Sequence, residues 1–152
     1  MNNLRRLLSA GLVMVDRPLE ITSPLFQLMT RFYVADVFFT SGLIKLRDFS
    51  STLALFENEY QVPFLSPAFA AYAGTAAELV LSVLLALGLL SRPAAVALFV
   101  FNIVAVMSYP EISDLGRADH VLWGVLMLVT VFFGAGKISA DHWIAAHVTR
   151  KM

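Results

Sequence analysis

Residues 67–110 read PAFAAYAGTAAELVLSVLLALGLLSRPAAVALFVFNIVAVMSYP, and in that stretch Glu78 and Arg92 are the only charged side chains. A bilayer core of about 30 Å needs about 20 apolar residues per helix. Two such runs, Pro67–Leu90 and Pro93–Tyr109, meet here at Leu90-Ser91-Arg92-Pro93. A connection that short makes the two helices antiparallel neighbours. Pro67 and Pro93 stand where a first helical turn can spare its N–H, and Pro110 follows the second run.

Working outward, Pro24–Lys45 before this hairpin and Ala118–Lys137 after it have the same character. The sequence therefore predicts an all-α chain: an integral membrane four-helix bundle, up-down-up-down, with short interfacial helices. Residues 1–152 form one domain, with 1–23 as an N-terminal segment and 138–152 as a tail. Composition agrees, since 59% of the 152 residues are hydrophobic and 14% charged, and the mean hydropathy is +0.75. A soluble domain of this size cannot hide so much apolar surface in one core.

Net charge is zero, and no basic stripe is interleaved with aromatics, so nucleic acid is not an expected partner. The absence of cysteine removes thiolate chemistry, disulfide exchange and iron–sulfur ligation from what the chain does alone. His142 and His147 lie in the tail, across the membrane from His120, so no histidine pair is expected to hold a haem. Met14, Met29, Met107 and Met127 are scattered and read as packing, with no metal site. No catalytic residue is expected; at most the chain serves as a subunit of an oxidoreductase.

Arg5, Arg6, Arg17, Arg92, Lys137, Arg150 and Lys151 fall on one side of the four spans, and Lys45, Arg47 and Arg117 on the other. The positive-inside rule then places both termini in the cytoplasm. Arg5-Arg6 before Leu7–Val15 looks like a signal peptide, but no small-x-small site precedes Asp16-Arg17-Pro18, so the segment is expected to be retained. Leu4, Leu8, Leu12 and Val15 suit a short helix lying in the inner interface. In the long external loop, Ser51 is the expected cap of a short helix presenting Leu53, Phe56 and Tyr60 as a lid, with Glu57 and Glu59 toward water. A partner-docking surface is the alternative for that loop.

Ionisable groups at membrane depth are costly and mark candidate sites: Arg31, Asp36, Lys45 and Glu78, with Asn102 and His120 as polar companions. Arg31, Phe38, Gly42 and Lys45 return to one helical face, and Gly42 beside Ser41 invites close helix contact. Glu78 must be paired, hydrogen-bonded or protonated; Arg31 is its expected partner, Lys45 the alternative. Such a pair reads either as a structural lock or as the polar floor of a ligand or proton site. Asp36 shares a face with Tyr33 and Thr40 and is expected in an internal network. Asn102 bridges helices through its amide or contacts a ligand, and His120 is an interfacial residue or a titrating relay.

Four stretches carry a family likeness: Arg31-Phe-Tyr leading to Ser41-Gly42-Leu-Ile-Lys45-Leu; Ala77-Glu78-Leu79; Leu87-Gly88-Leu89-Leu90-Ser91-Arg92; and Gly134 through Trp143. On these the sequence resembles the DoxX family of small bacterial and archaeal membrane proteins over most of Arg31 to Trp143. The resemblance implies that Arg31, Gly42, Lys45, Glu78 and Gly88 are characteristic positions, with Gly42 and Gly88 serving helix packing. Asp36 is outside that pattern, and Ala135 and Ala140 replace the proline and leucine often seen there.

It further implies a membrane subunit of a redox or stress-response system, since the family name comes from a thiosulfate:quinone oxidoreductase subunit. Similar sequences with a loop like Phe56–Tyr60 go with gene sets for metal stress. The leading expectation is an anchor or quinone-linked accessory, with Phe38, Phe39, Phe99 and Phe101 as walls and Glu78 and Arg31 as the polar end. The partners are the lipid bilayer and either a protein partner or further copies of this chain as a homo-oligomer. The alternatives are a transport helper for a metal or acid acting as an oligomer, and a purely structural anchor.

Overall fold

The computed structural model describes the backbone of residues 2–150 and the side chains from residue 19 onward. Every described element is a helix: α1 Asn2–Arg47, α2 Phe49–Asn58, α3 Pro67–Leu87, α4 Ser91–Ser108, α5 Asp114–Phe133 and α6 Ala140–Thr149. Helices α3, α4 and α5 are long and apolar enough to cross a membrane. The apolar part of α1 is interrupted by Arg31, Asp36 and Lys45 and falls short of that standard. α1 packs on α3 and α5, α4 packs on α3 and α5, and α2 lies on α3.

Pro24 does not start a helix, as its position had suggested; α1 runs through it. The carbonyl of Glu20, which a Pro24 N–H would have used, sits at an exposed residue where solvent or headgroups can replace the lost bond. The N-terminal residues belong to this same helix, and the face that Leu4, Leu8, Leu12 and Val15 present lies outside the described side chains.

The other boundaries move for identifiable reasons. α3 stops at Leu87 because Gly88 takes a left-handed conformation, φ 66°, and sends its N–H back to Leu84 and Leu85. An added Cβ there would also run into the Arg31 guanidinium and Ser139, so only glycine serves. α4 begins at Ser91, two residues before Pro93. α5 begins at Asp114, with Ser113 accepting the Gly116 N–H, and ends at Phe133, before Gly134. The tail contributes a helix of its own, α6, capped by Ser139.

α2 is capped by Asp48, not Ser51; the Asp48 carboxylate receives the Ser51 N–H and hydroxyl and the Ser50 hydroxyl. Those bonds, the Ser51 hydroxyl foremost, hold the Asp48 carboxyl down at about 2. Phe56 is buried with Ala70 and Ala71, and Phe49, Leu53, Tyr60 and Val62 pack around them. Glu57 and Glu59 are exposed. The loop therefore covers one end of the helices as a lid. It is fastened where Gln61 N–H donates to the Ser108 carbonyl at 2.7 Å.

The main core runs through Val34, Phe38, Leu85, Ala95, Leu98 and Met127. Gly42 lets α1 and α3 touch: an added Cβ would lie 2.9 Å from Leu79 and 3.1 Å from the Glu78 Cβ.

Candidate functional site

Two polar centres lie at opposite ends of the α1–α3 contact. At the first, Arg31 is buried, 1% exposed, and meets no carboxylate within bonding distance. Its Nη1 donates to the Leu85 and Ala86 carbonyls, each at 3.1 Å, and Nη2 to the Ile138 carbonyl at 2.6 Å. The last carbonyls of a helix have no partner within it and carry the negative end of its dipole. Backbone carbonyls alone thus take both terminal nitrogens of the guanidinium, while Nε is buried without a partner.

The expected Arg31–Glu78 pair does not form, because Arg31 reaches the C-terminal turn of α3 while Glu78 lies about two turns earlier in that helix. Beside Arg31, Asp141 crosses to the α3–α4 turn. Its carboxylate accepts the Leu90 and Ser91 N–H groups, each at 2.8 Å, and the Ser91 hydroxyl at 2.5 Å, while its own N–H donates to Gly88. Burial pushes the Asp141 carboxyl up, but the Ser91 and Leu90 donors and the Arg31 charge outweigh it and hold it below the usual range. A residue of the presumed tail thus caps α4, whose own N-cap residue, Leu90, offers no side-chain bond.

At the second centre Glu78, 6% exposed, is paired with Lys45, 16% exposed. Nζ lies 2.8 Å from both carboxylate oxygens and donates to Ser41 Oγ at 2.7 Å, and Ser41 donates to Glu78 at 3.1 Å. The triangle joins α1 to α3 just where Gly42 lets them touch. Ser82 donates to the Glu78 carbonyl.

This triangle forms part of the wall of two adjoining chambers of about 250 and about 170 Å³, both also lined by Tyr60, Phe101 and Ala105. The larger lies under the lid, against Phe56 and Val62; the smaller reaches Phe38, Tyr109, His120 and Trp123. Phe56 stacks on Tyr60 at 4.8 Å, and Tyr60 packs at a tilt against Tyr109 at 5.1 Å, which roofs the space with aromatic rings. Burial, with Glu78, Tyr109 and Glu59 adding to it, raises the Tyr60 phenol above its usual value, so it stays a neutral donor. Two polar atoms at these walls, Trp123 Nε1 and Ser108 Oγ, are buried without a hydrogen-bond partner.

Asn102 and His120 join α4 to α5. Asn102 Nδ2 donates to the His120 carbonyl at 3.0 Å. A carbonyl only accepts, so the amide is fixed, and its oxygen faces His120 Nδ1 at 2.7 Å. Nδ1 therefore carries the proton and donates to the Asn102 oxygen. Trp123 packs edge-on against this imidazole at 4.7 Å and against Phe38 at 5.6 Å. His120 is thus a wall of the inner chamber, half-buried and bonded.

Of the eight residues singled out in sequence, the chambers bring together Lys45, Glu78 and His120, with Asn102 behind His120 and Gly42 beneath the ion pair. Arg31 and Gly88 belong to the other end. Asp36 belongs to neither: it is exposed on the outer face of α1, as are Tyr33 and Thr40. Of the proposed aromatic walls only Phe38 and Phe101 face the chambers. Phe39 lines an outer groove with Asp36, and Phe99 a groove between α4 and α5. Sequence reading gave no site role to Tyr60, Tyr109, Trp123, Ser108 or Asp141. An aromatic or serine in an apolar chain carries no cost that would mark it, and only packing shows where its polar atom points. Among the described residues, no three His, Asp or Glu side chains converge as they would around a metal ion.

No curated protein and no solved structure matches this chain. A family model described as DoxX matches residues 26–110, more than half of the sequence. The match takes in the apolar part of α1, the lid, α3 and α4, and so both partners of the ion pair; it ends before α5, so the Gly134–Trp143 stretch lies outside it. With Arg31, Gly42, Lys45, Glu78 and Gly88 all inside the matched span, the chain belongs to the DoxX family.

Proposed function

We propose that this chain is a four-span, up-down-up-down subunit of a bacterial inner membrane that holds a quinone-class ring in the chambers beside Lys45 and Glu78, in service of a redox or stress-response system. α1 is the fourth crossing in this reading. Its interior charges are neutralised by Glu78 and by helix-end carbonyls, which offsets the cost that a hydropathy count assigns to them. The Arg31 end, with Arg92, Lys137 and Arg150, faces the cytoplasm by the positive-inside rule.

The observation that carries the ligand assignment is the pair of unpartnered donors, Trp123 Nε1 and Ser108 Oγ, at aromatic walls next to a buried ion pair. Buried donors without acceptors each cost about 1–3 kcal/mol, which an occupant with carbonyl oxygens would recover. Each chamber is smaller than the ordinary ligand site of about 300–1,000 Å³, so the space suits a single ring or headgroup, with any apolar tail left to the bilayer.

The test is binding of a short-chain benzoquinone to purified protein in lipid nanodiscs, read by quenching of Trp123 in a Trp143→Phe background. Saturable quenching, weakened about tenfold or more by Glu78→Gln or Phe101→Ala and unchanged by Asp36→Asn, is expected. Quenching that never saturates, or is indifferent to Glu78 and Phe101, would overturn the ligand assignment and favour a structural anchor whose ion pair fixes only how α1 meets α3.

A further inference from the structure

The outer face of α1 presents Phe26, Met29, Tyr33, Asp36, Thr40 and Leu43, all exposed. Their spacing alternates three, four, three, four, three, while Thr30, Arg31, Val34, Ala35, Phe38 and Gly42 are buried on the opposite side. Alternate steps of three and four are the rhythm of a helix seam, which keeps one stripe against a second helix. Every face of an α-helix repeats in such steps, so the spacing only gathers these residues on one stripe; what a face turned to acyl chains has no need of is a carboxylate at its middle.

Asp36 has no hydrogen bond or ion pair among the described residues, and neither do the hydroxyls of Tyr33 and Thr40, three residues before it and four after. No cation of this chain comes to Asp36 from α3, the neighbouring helix; the groove of about 320 Å³ beside it is walled there by Ser82, Val83, Ala86 and Leu87. The stripe thus offers one acceptor flanked by two donors. That set is complementary to itself: when two such helices run parallel about a two-fold axis along the membrane normal, neighbouring seam positions face one another. Asp36 of each copy then meets Tyr33 and Thr40 hydroxyls of the other.

We infer that the stripe Phe26–Met29–Tyr33–Asp36–Thr40–Leu43 is the interface of a parallel homodimer, closed by reciprocal hydrogen bonds from Tyr33 and Thr40 to Asp36 of the second copy. The inference rests on α1 crossing the bilayer. It does not depend on the chambers, which open on the other side of that helix.

The chain has no cysteine of its own, so single cysteines report directly in native membranes. Met29→Cys and Leu43→Cys are expected to give disulfide-linked dimers on mild oxidation, and Val125→Cys, on the exposed face of α5, is expected to give none. In the Met29→Cys background, Asp36→Leu should lower the linked fraction about tenfold, the effect of losing interhelical hydrogen bonds of ordinary membrane strength. Asp36→Asn, which can still accept a hydroxyl, should keep most of it.

Linking at Val125 equal to that at Met29, or no linking at Met29 and Leu43, would overturn the dimer. A separate probe isolates the premise: Phe39→Cys, off the seam, should resist a membrane-impermeant maleimide. Labelling there would refute α1 as a crossing, whereas protection without linking at Met29 would leave the crossing intact and refute the seam.

Discussion

Lys45 and Glu78 are joined through both carboxylate oxygens at 2.8 Å, directly above the point where Gly42 lets α1 lie against α3. The two features depend on each other. Without the glycine the helices would stand apart and the ammonium would not reach the carboxylate. Without the pair, two groups that lipid excludes would be enclosed unpaired.

Breaking the pair from one side should therefore cost more than deleting it. Glu78→Leu or Lys45→Met alone is expected to destabilise the protein by about 3–5 kcal/mol, and the double variant by much less, since no buried charge is then left over. Unfolding in mild detergent, followed by helical circular dichroism across the four-member cycle, checks this. Additive losses would show that the two residues do not interact.

Enlarging Gly42 tests the close contact. Gly42→Ala places a methyl 2.9 Å from the Leu79 side chain, and overpacking of that kind typically costs about 1–3 kcal/mol. Leu79→Ala in the same chain should recover part of the loss. The melting temperature of the two single variants and the double variant reads the effect.

Gly88→Ala should be worse than Gly42→Ala. The left-handed backbone alone costs a non-glycine residue about 1–2 kcal/mol, and the added methyl also collides with Arg31 and Ser139. The expected sign is loss of folded protein, measured as the monodisperse fraction after extraction.

Asp141 predicts an acid-sensitive fastening of α6. Its carboxyl is held below the usual range, so its contribution is fully present above the ordinary carboxylate pKa and is lost as pH falls through the lower folded value. Asp141→Asn should loosen α6 and the α4 N-terminus at neutral pH, by about 1 kcal/mol as for the loss of a helix cap. Faster amide exchange at Ser91 and across residues 140–149, with α5 unchanged, is the expected reading.

Much of this architecture was legible in the chain, because lipid enforces simple rules. The α3–α4 hairpin follows from apolar length and a four-residue connection, and the lid from the spacing of Leu53, Phe56 and Tyr60. Glu78, Lys45, Asn102 and His120 stood out because polar groups at depth demand partners. What could not be read was which partner each would find. Arg31 and Glu78 look matched by charge, yet backbone carbonyls take the two terminal nitrogens of the guanidinium instead, and those acceptors exist in every residue and so leave no mark in sequence. Pro24 failed as a boundary because a helix near solvent tolerates one missing bond. Asp36 lies a half-turn from the Arg31 stripe, and that rotation separates an interior network from an outward-facing stripe.

The Arg31 contacts also bear on how the protein is made. A chain synthesised from its N-terminus delivers Arg31 to the membrane 54 residues before the Leu85 carbonyl and 107 before that of Ile138. For that interval the guanidinium has none of its final acceptors and must stay hydrated or borrow headgroups. Seating of α1 can be completed only after the last crossing has emerged, so a ribosome stalled before Ile138 would leave the first helix incompletely docked.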